Sequence, residues 1–170
     1  MNSLNIFSEI LPHAIVGDFD SIRDDVLEYY RNKNILTAKD PSQDDSDLEK
    51  CFRHLLTWFE ANPLKENKQY KIVVTGAMGG RMDHTLNNIH ILHKFSLTCA
   101  EISDNISILL VDDNSIGTCI LPGKTQYRKA KYFEQTTGCG IFPMIGEAPN
   151  VKTKGFKWNL GKIQGIIVDF

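Results

Sequence analysis

The sequence lacks several features that would place it in common protein classes. No apolar stretch approaches the length of a membrane span, and no basic segment precedes the apolar residues near the start, so we expect neither membrane insertion nor secretion. The formal net charge of -2 over 170 residues gives no general attraction to nucleic acid. The four cysteines form no CxxC pair, which is typical of a reduced, cytoplasmic protein.

Several familiar site patterns are missing as well. There is no GxxxxGK[ST] loop, no dinucleotide fingerprint and no nucleophile elbow, and the histidines do not have the spacing of a zinc site. Any ligand must therefore be bound by a local site of another kind. With 42% hydrophobic residues, the chain can bury a core that supports such a site.

The first part of the chain alternates strand-like and helix-like segments. Strands are predicted at residues 14–16, 34–37, 70–75 and 106–111. The third suggests burial on both faces, as in a parallel sheet. From residue 112 onward, short β-like pieces are broken by glycine and proline. The predicted fold class is α/β, with a mostly parallel sheet and flanking helices at 1–111, followed by a partial all-β sandwich domain at 112–170.

Serine residues mark two of the predicted helix starts. Ser21 is an N-cap candidate for the first helix, and Ser46 with Glu49 has the pattern of a capping box for the second. The second helix has one broad apolar face and is expected to stop at residues 62–63. A third helix is predicted over 83–95. Polar segments precede these helices, at the edge where an open α/β sheet binds its ligands.

The first polar segment contains Asp18 and Asp20, two residues apart. In an extended segment both carboxylates would point to one side, where two oxygens could reach one hard cation. Mg²⁺ accepts a few carboxylates together with water and substrate phosphates, which suits so short a motif. The alternative is a solvated Asx turn ahead of the first helix.

The second polar segment adds an amide and further carboxylates. Asp47 lies in the first turn of the second helix, while Gln43 and Asp44 precede it in the loop, so they could face the same crevice. The alternative is the ordinary preference of acidic residues for a helix N-terminus.

The third segment combines a glycine turn with an arginine. Gly79 and Gly80 let the backbone approach a phosphate or a ring closely, Arg81 offers a fork of donors, and Asp83 opens the next helix. Further along, Trp158 is either a core residue or a flat indole that stacks on a heteroaromatic ligand.

Taken together, these segments resemble thiamine pyrophosphokinase (thiamine diphosphokinase). The resemblance rests on six motifs in order: GDFDS at 17–21, QDDSD at 43–47, GGRMDH at 79–84, LPG at 121–123, CGIFP at 139–143 and GFKWNL at 155–160. Each motif is modest alone, but the set runs through nearly the whole chain in register.

The resemblance implies a fold, a reaction and a set of roles. It implies an α/β catalytic domain followed by a β-sandwich domain, and a homodimer with sites at the subunit interface. The reaction would be Mg²⁺-dependent transfer of pyrophosphate from ATP to the thiamine hydroxyl, leaving AMP. The implied roles are metal binding for Asp18, Asp20 and Asp47; substrate binding for Gln43, Asp44, Ser46 and Trp158; phosphate binding for Ser21, Gly79, Gly80 and Arg81; and catalysis for the three metal-facing aspartates with Arg81 and Asp83.

In detail, Trp158 would stack on thiamine from the partner subunit, and either Asp47 or Asp83 would take the hydroxyl proton. The sequence departs from the family at both ends. Before the first acidic motif the family has an extra strand and helix, where this chain has only residues 1–13. After Leu160 the further sandwich strands of the family are missing. The chain is therefore expected to be truncated.

Two other functions stay open at this point. One is a non-catalytic relative that binds thiamine or pairs with a full-length subunit. The other is a phosphatase with Asp18 as nucleophile, although the lysine-containing helper motif and later acidic pair of such enzymes are not supplied by the Gly79 turn.

Overall fold

The computed structural model describes residues 10–126, 138–144, 146–147, 150–161 and 166–169, the last range by its backbone. The chain divides into two compact units, Met1–Lys68 and Gln69–Phe170.

The first unit is built on two parallel strands. β1 (Ala14–Gly17) pairs with β2 (Leu36–Lys39), and α1 (Asp24–Asn32) connects them. The second helix, α2 (Asp47–Ala61), follows β2 and packs against β1. Because the strands are parallel, their carboxyl ends lie at one edge, where the loops before α1 and α2 begin.

Helix α2 begins and ends where its sequence predicts. Ser46 is the N-cap, and its Oγ accepts a hydrogen bond from the Glu49 N–H at 3.5 Å. Asn62 is the C-cap, directly before Pro63. The apolar face buries Phe52 and Phe59, which are 2% and 8% exposed. Burial of such side chains contributes roughly 1.5–3 kcal/mol each, so the core holds the helix that carries the second acidic segment.

The second unit contains a mixed sheet and a long helix. β3 (Tyr70–Thr75) pairs in parallel with β4 (Ile106–Val111), and β5 (Ile116–Thr118) pairs antiparallel with β4. Helix α3 (Met82–Ile102) connects β3 to β4 and packs against β4. Among the residues that the structure describes, the largest fully buried side chains are Ile91 and Cys99 on the helix and Ile108 and Leu110 on the strand.

A separate β sheet follows in the same unit. β6 (Thr125–Gln126), β7 (Val151–Lys154) and β8 (Ile166–Asp169) form a parallel sheet in the order β6-β8-β7.

The predicted fold class, α/β with parallel strands and flanking helices followed by further β structure, is confirmed. The division at residues 111 and 112 into two domains stays a prediction.

Four local predictions need correction. Ser21 does not cap the first helix, whose N-cap is Arg23, because the residues before it form a turn. The second strand begins two residues later than predicted, at Leu36, and the third helix continues to Ile102 because no glycine or proline interrupts it. β3 is not buried on both faces: its exposure alternates along the strand, and Val73 is 55% exposed.

In the part of the chain that the structure describes, no helix combines the length and hydrophobicity needed to cross a membrane. All four cysteines are free thiols, of which Cys99 is buried and Cys51 and Cys139 are exposed.

Candidate active site

The first acidic segment forms a tight turn after β1. The backbone N–H of Asp20 donates to Oδ1 of Asp18 at 3.0 Å, which closes the Asx turn considered from the sequence. Phe19, between them, has a φ of 65°, a left-handed conformation that costs a residue with a Cβ about 1–2 kcal/mol. The turn therefore fixes the two aspartates at a local energetic cost.

Asp47 joins the second acidic segment to this turn. Its Oδ1 accepts a hydrogen bond from the Asp18 N–H at 3.2 Å. Gly17 permits the approach, since a Cβ at that position would lie only 3.0 Å from the same oxygen. Two carboxylates from segments far apart in sequence thus lie together at the carboxyl ends of β1 and β2.

Lys50 lies beside both carboxylates. Its Nζ is 3.5 Å from Oδ1 of Asp47 and 3.8 Å from Oδ2 of Asp18. Lys50 is 3% exposed, and it is the one buried polar or charged residue in the described part of the chain. The sequence pattern did not single it out. Its only signal was the spacing of three residues from Asp47, which places both on one face of α2.

The surroundings favour the ionised form of Asp18. The N–H of Asp20 lowers the pKa of the Asp18 carboxyl below its usual value, and the side chains of Asp20 and Gln43 and the charge of Lys50 act in the same direction. The side chain of Gln43, a predicted substrate-binding residue, is therefore close enough to Asp18 to lower the pKa of its carboxyl.

The loop before α2 is organised by short-range hydrogen bonds. The Asp44 N–H donates to Oγ of Ser42 at 3.3 Å, and Nε2 of Gln43 donates to the Pro41 carbonyl at 3.4 Å. Arg53, on the second turn of α2, forms ion pairs with Asp40 and Asp45 and fastens both ends of the loop to the helix. Arg53 is a second residue that the sequence pattern missed.

The carboxylate oxygens of the two acidic segments suit a hard cation, but they do not surround a metal ion completely. Among the described residues, no group of three or more histidine, cysteine, aspartate and glutamate side chains is placed to hold a metal ion. Asp18 and Asp47 offer carboxylate oxygens at one place, and Asp20 is exposed on the adjoining turn. Mg²⁺ commonly binds through one or two carboxylates plus substrate phosphates, so these residues fit it.

The glycine turn of the second unit has the backbone that its sequence requires. Gly79 and Gly80 have φ values of 85° and 65°, which residues with a Cβ rarely adopt. The Gly79 carbonyl accepts a hydrogen bond from Oγ1 of Thr85 at 3.1 Å, and the Ala77 carbonyl accepts one from Nδ2 of Asn88 at 2.8 Å. Side chains of α3 thus hold the turn in place.

Arg81 and Asp83 form an ion pair within this turn. Nε of Arg81 donates to Oδ1 of Asp83 at 3.1 Å, and the second arm of the guanidinium reaches Oδ2. The pair raises the pKa of Arg81 and lowers the pKa of Asp83. Both side chains are well exposed, so solvent screens the pair, which adds little to stability and can be opened by a stronger anion.

Trp158 is exposed, so its interpretation as a core residue is wrong. It is 78% exposed, and the Lys157 ammonium lies over its ring. Asn159 bonds the backbone N–H and carbonyl of Phe156 through its side chain, and the N–H of Leu160 donates to Thr153 Oγ1 at 2.7 Å. A braced loop therefore presents an indole ring to solvent.

The site residues predicted from the sequence fall into three groups. Asp18, Asp20, Gln43 and Asp47 come together in the first unit, with Ser46 as the helix cap and Ser21 and Asp44 in the adjoining loops. Gly79, Gly80, Arg81 and Asp83 form a turn in the second unit, and Trp158 lies on its own loop. The first group and the strands behind it define the class of protein, which is an α/β protein with an acidic cluster at the carboxyl ends of its parallel strands.

Comparison with known proteins gives the family. A family model described as "Thiamin pyrophosphokinase, catalytic domain" matches residues 2–103. Thiamine pyrophosphokinase 1 of Oryza sativa subsp. japonica is 36% identical over 153 residues, which cover 88% of this chain and 53% of the relative. Thiamine pyrophosphokinase 2 of Arabidopsis thaliana is 34% identical over 158 residues, covering 90% and 54%. The chain belongs to the thiamin pyrophosphokinase family.

A solved structure supports the fold. The thiamin pyrophosphokinase from Candida albicans superposes with a TM-score of 0.50 at 23% sequence identity, covering 64% of this chain and 44% of that one. The chain spans about half the length of the curated relatives it matches.

Proposed function

We propose that this chain is a thiamine diphosphokinase, which transfers pyrophosphate from ATP to the thiamine hydroxyl and yields thiamine diphosphate and AMP. The observation that carries the proposal is the meeting of Asp18 and Asp47 at the strand ends, in a chain whose residues 2–103 match the family's catalytic domain. The names of the plant relatives support the same reaction.

We also propose a cytoplasmic location for the protein, which fluorescence microscopy of a tagged fusion tests.

Asp18, Asp20 and Asp47 would hold Mg²⁺ in this reaction. When bound, the ion neutralises charge on the phosphate oxygens of ATP and leaves the bridging bond easier to break. Asp18 is ionised at neutral pH, as a metal ligand must be, and its neighbours lower the pKa of its carboxyl further.

Arg81 would change partners during the reaction. Its guanidinium is held by Asp83 in an exposed ion pair, and a phosphate offers oxygens for the same two-armed contact with more charge. The N–H groups of Gly79 and Gly80, with Ser21, would complete the phosphate contacts. These hydrogen-bond donors would then stabilise the negative charge that develops on the transferred phosphoryl group.

The thiamine hydroxyl must lose a proton as it attacks the β-phosphorus. Arg81 lowers the pKa of Asp83, which makes Asp83 a weak base while the pair is intact. The move of Arg81 to phosphate would release the Asp83 carboxylate, whereas Asp47 would stay engaged with the metal ion and with Lys50, so Asp83 is the better candidate of the two. Positioning of the hydroxyl in line with the phosphorus should contribute more to the rate than the base.

Thiamine would be held by Gln43, Asp44 and Ser46 in one subunit and by Trp158 of a second copy of the chain. The exposure of Trp158 on a braced loop supports a stacking role. We propose a homodimer for this reason, with a catalytic domain at 1–111 and a thiamine-binding domain at 112–170.

The reaction is tested by measuring AMP formation with and without thiamine and Mg²⁺. Asp20→Asn should abolish turnover and leave the protein folded, because it removes one charge from an exposed turn. Asp24→Asn is the matched control, since Asp24 is an exposed aspartate in the first turn of α1. Near-normal turnover in Asp20→Asn would refute the metal role.

The same assay separates the rival function, a non-catalytic relative. Calorimetric titration with thiamine, run beside the AMP assay, would detect binding in either case. Binding without thiamine-dependent AMP formation favours the rival.

Mixing two inactive variants tests the shared site. Asp20→Asn and Trp158→Ala each damage both sites of their own homodimer. If each site takes Asp20 from one subunit and Trp158 from the other, a mixed dimer has one intact site. Equal mixing after reversible dissociation should then restore about a quarter of the wild-type activity. No recovery in mixtures that light scattering shows to be dimeric would contradict the shared site.

A further inference from the structure

The position of Lys50 is unfavourable in two respects. Lys50 is buried, and withdrawal of an ammonium from water costs several kcal/mol even after relaxation. It also lies in the first turn of α2, where the helix dipole disfavours positive charge. An apolar residue of similar length would avoid both costs. The stability of the helix alone therefore does not account for a lysine here.

The two partners of Lys50 come from the two acidic segments. Asp47 precedes it by one turn of α2, whereas Asp18 lies on the loop after β1. The carboxylates of Asp18 and Asp47 repel each other when they share one place. The ammonium offsets that repulsion and reduces the negative charge of the group, from -2 for the two carboxylates to -1 with Lys50.

We propose that Lys50 is a positioning residue that holds the carboxylates of Asp18 and Asp47 together before a divalent cation arrives, and that it weakens their affinity for the free cation. The inference rests on the proposed function, in which these carboxylates bind Mg²⁺. A group with a charge of -1 attracts a free divalent cation less than one with -2. The cation is then bound chiefly when nucleotide phosphates supply the remaining oxygen ligands, as Mg²⁺ sites in such enzymes require.

For Lys50→Met we expect tighter binding of a free divalent cation, not weaker binding. A residue that only supports the fold should weaken metal binding when it is replaced. Removal of the ammonium should instead make binding of Mn²⁺ alone about tenfold tighter, because one charge next to the carboxylates disappears while solvent screens part of the effect. Turnover should fall nonetheless, because the carboxylates lose their fixed arrangement.

Mn²⁺ affinity is measured by electron paramagnetic resonance in the absence of nucleotide. Lys50→Arg keeps the charge and should bind Mn²⁺ within about twofold of wild type. Lys50→Gln is a second neutral variant, whose amide can still donate to Asp47, and it should also bind Mn²⁺ more tightly. Lys33→Met is the matched control, since it removes the same charge from the exposed C-cap of α1, which precedes β2 and lies away from the strand ends that carry the carboxylates. Circular dichroism in EDTA verifies the fold of each variant.

The outcomes distinguish this inference from the proposed reaction. Tighter Mn²⁺ binding in folded Lys50→Met or Lys50→Gln, with Lys33→Met unchanged, supports the role of Lys50. Unchanged or weaker binding in both neutral variants overturns it. If the variants follow the expected order and the wild type forms no AMP, the reaction is wrong and the role of Lys50 stands. If neither wild type nor variants bind Mn²⁺, the metal role and the inference both fail.

Discussion

Gly17→Ala probes the contact between the two acidic segments with a single methyl group. The new Cβ would lie 3.0 Å from Oδ1 of Asp47, whereas ordinary van der Waals contact begins near 3.4 Å, so the carboxylate must move by about 0.4 Å. That shift lengthens the 3.2 Å hydrogen bond from the Asp18 N–H and disturbs the contact with Lys50. The backbone of Gly17 itself is not strained by alanine, because its φ is not positive.

The expected effect falls on activity more than on stability. Alanine restricts the unfolded chain more than glycine does, and the lower entropy of that state stabilises the protein by about 0.4–1 kcal/mol. This gain offsets much of the stability lost with the weakened hydrogen bond. The free energy of unfolding should therefore change by less than about 1 kcal/mol. A misplacement of 1 Å in an active site costs about a hundredfold in rate, so a shift of about 0.4 Å should lower kcat/KM about fivefold to tenfold.

The measurement combines urea unfolding with the thiamine-dependent AMP assay. Gly117→Ala is the control, because a Cβ there meets only ordinary contacts, the nearest being Met78 Sδ at 3.7 Å. Unchanged kcat/KM in Gly17→Ala, or an equal loss in Gly117→Ala, would show that the approach of Asp47 to the strand end does not matter for turnover.

Three further predictions concern the stability and accessibility of the described residues. Ser46→Ala should lower the free energy of unfolding in urea by about 1 kcal/mol, because the cap of α2 is lost, whereas Ser46→Asn should retain most of it. Ile91→Ala should cost about 3 kcal/mol in the same assay, since Ile91 is 0% exposed, and Leu86→Ala, at a position 58% exposed, should cost far less. Iodoacetamide should alkylate Cys139 at least about tenfold faster than Cys99 at pH 8, because Cys139 is exposed and Cys99 is buried; equal rates by mass spectrometry would contradict the placement of Cys99.

Segments with strong local signals could be predicted from the sequence. The strands at 70–75 and 106–111 have the apolar centres IVV and ILLV, and α2 has both a capping serine and a proline just beyond its end. Ser21 misled the prediction of α1 because a good N-cap residue also favours turns, and here the turn between Asp18 and Asp20 determines the backbone. Local propensity does not decide between two such uses of one residue.

The features missed in the site depend on tertiary structure. Lys50 looks like an ordinary helix lysine until the fold buries it beside Asp18, a residue 32 positions earlier in the chain. The left-handed backbone of Phe19 could not be predicted either, since an aromatic residue has no preference for that conformation. The sequence identified the acidic side chains, and the fold determined which of them meet.

Helix α2 carries the core and the site on one rigid element. Phe52 and Phe59 anchor its middle and end, whereas Asp47 and Lys50 lie in the first turn, which depends on Ser46. Helix ends fray before helix centres melt. On warming, the carboxylate pair should separate while the core is still intact, and amide hydrogens of the first turn should exchange faster than those near Phe59. The temperature limit of activity would then lie below the melting temperature of the protein.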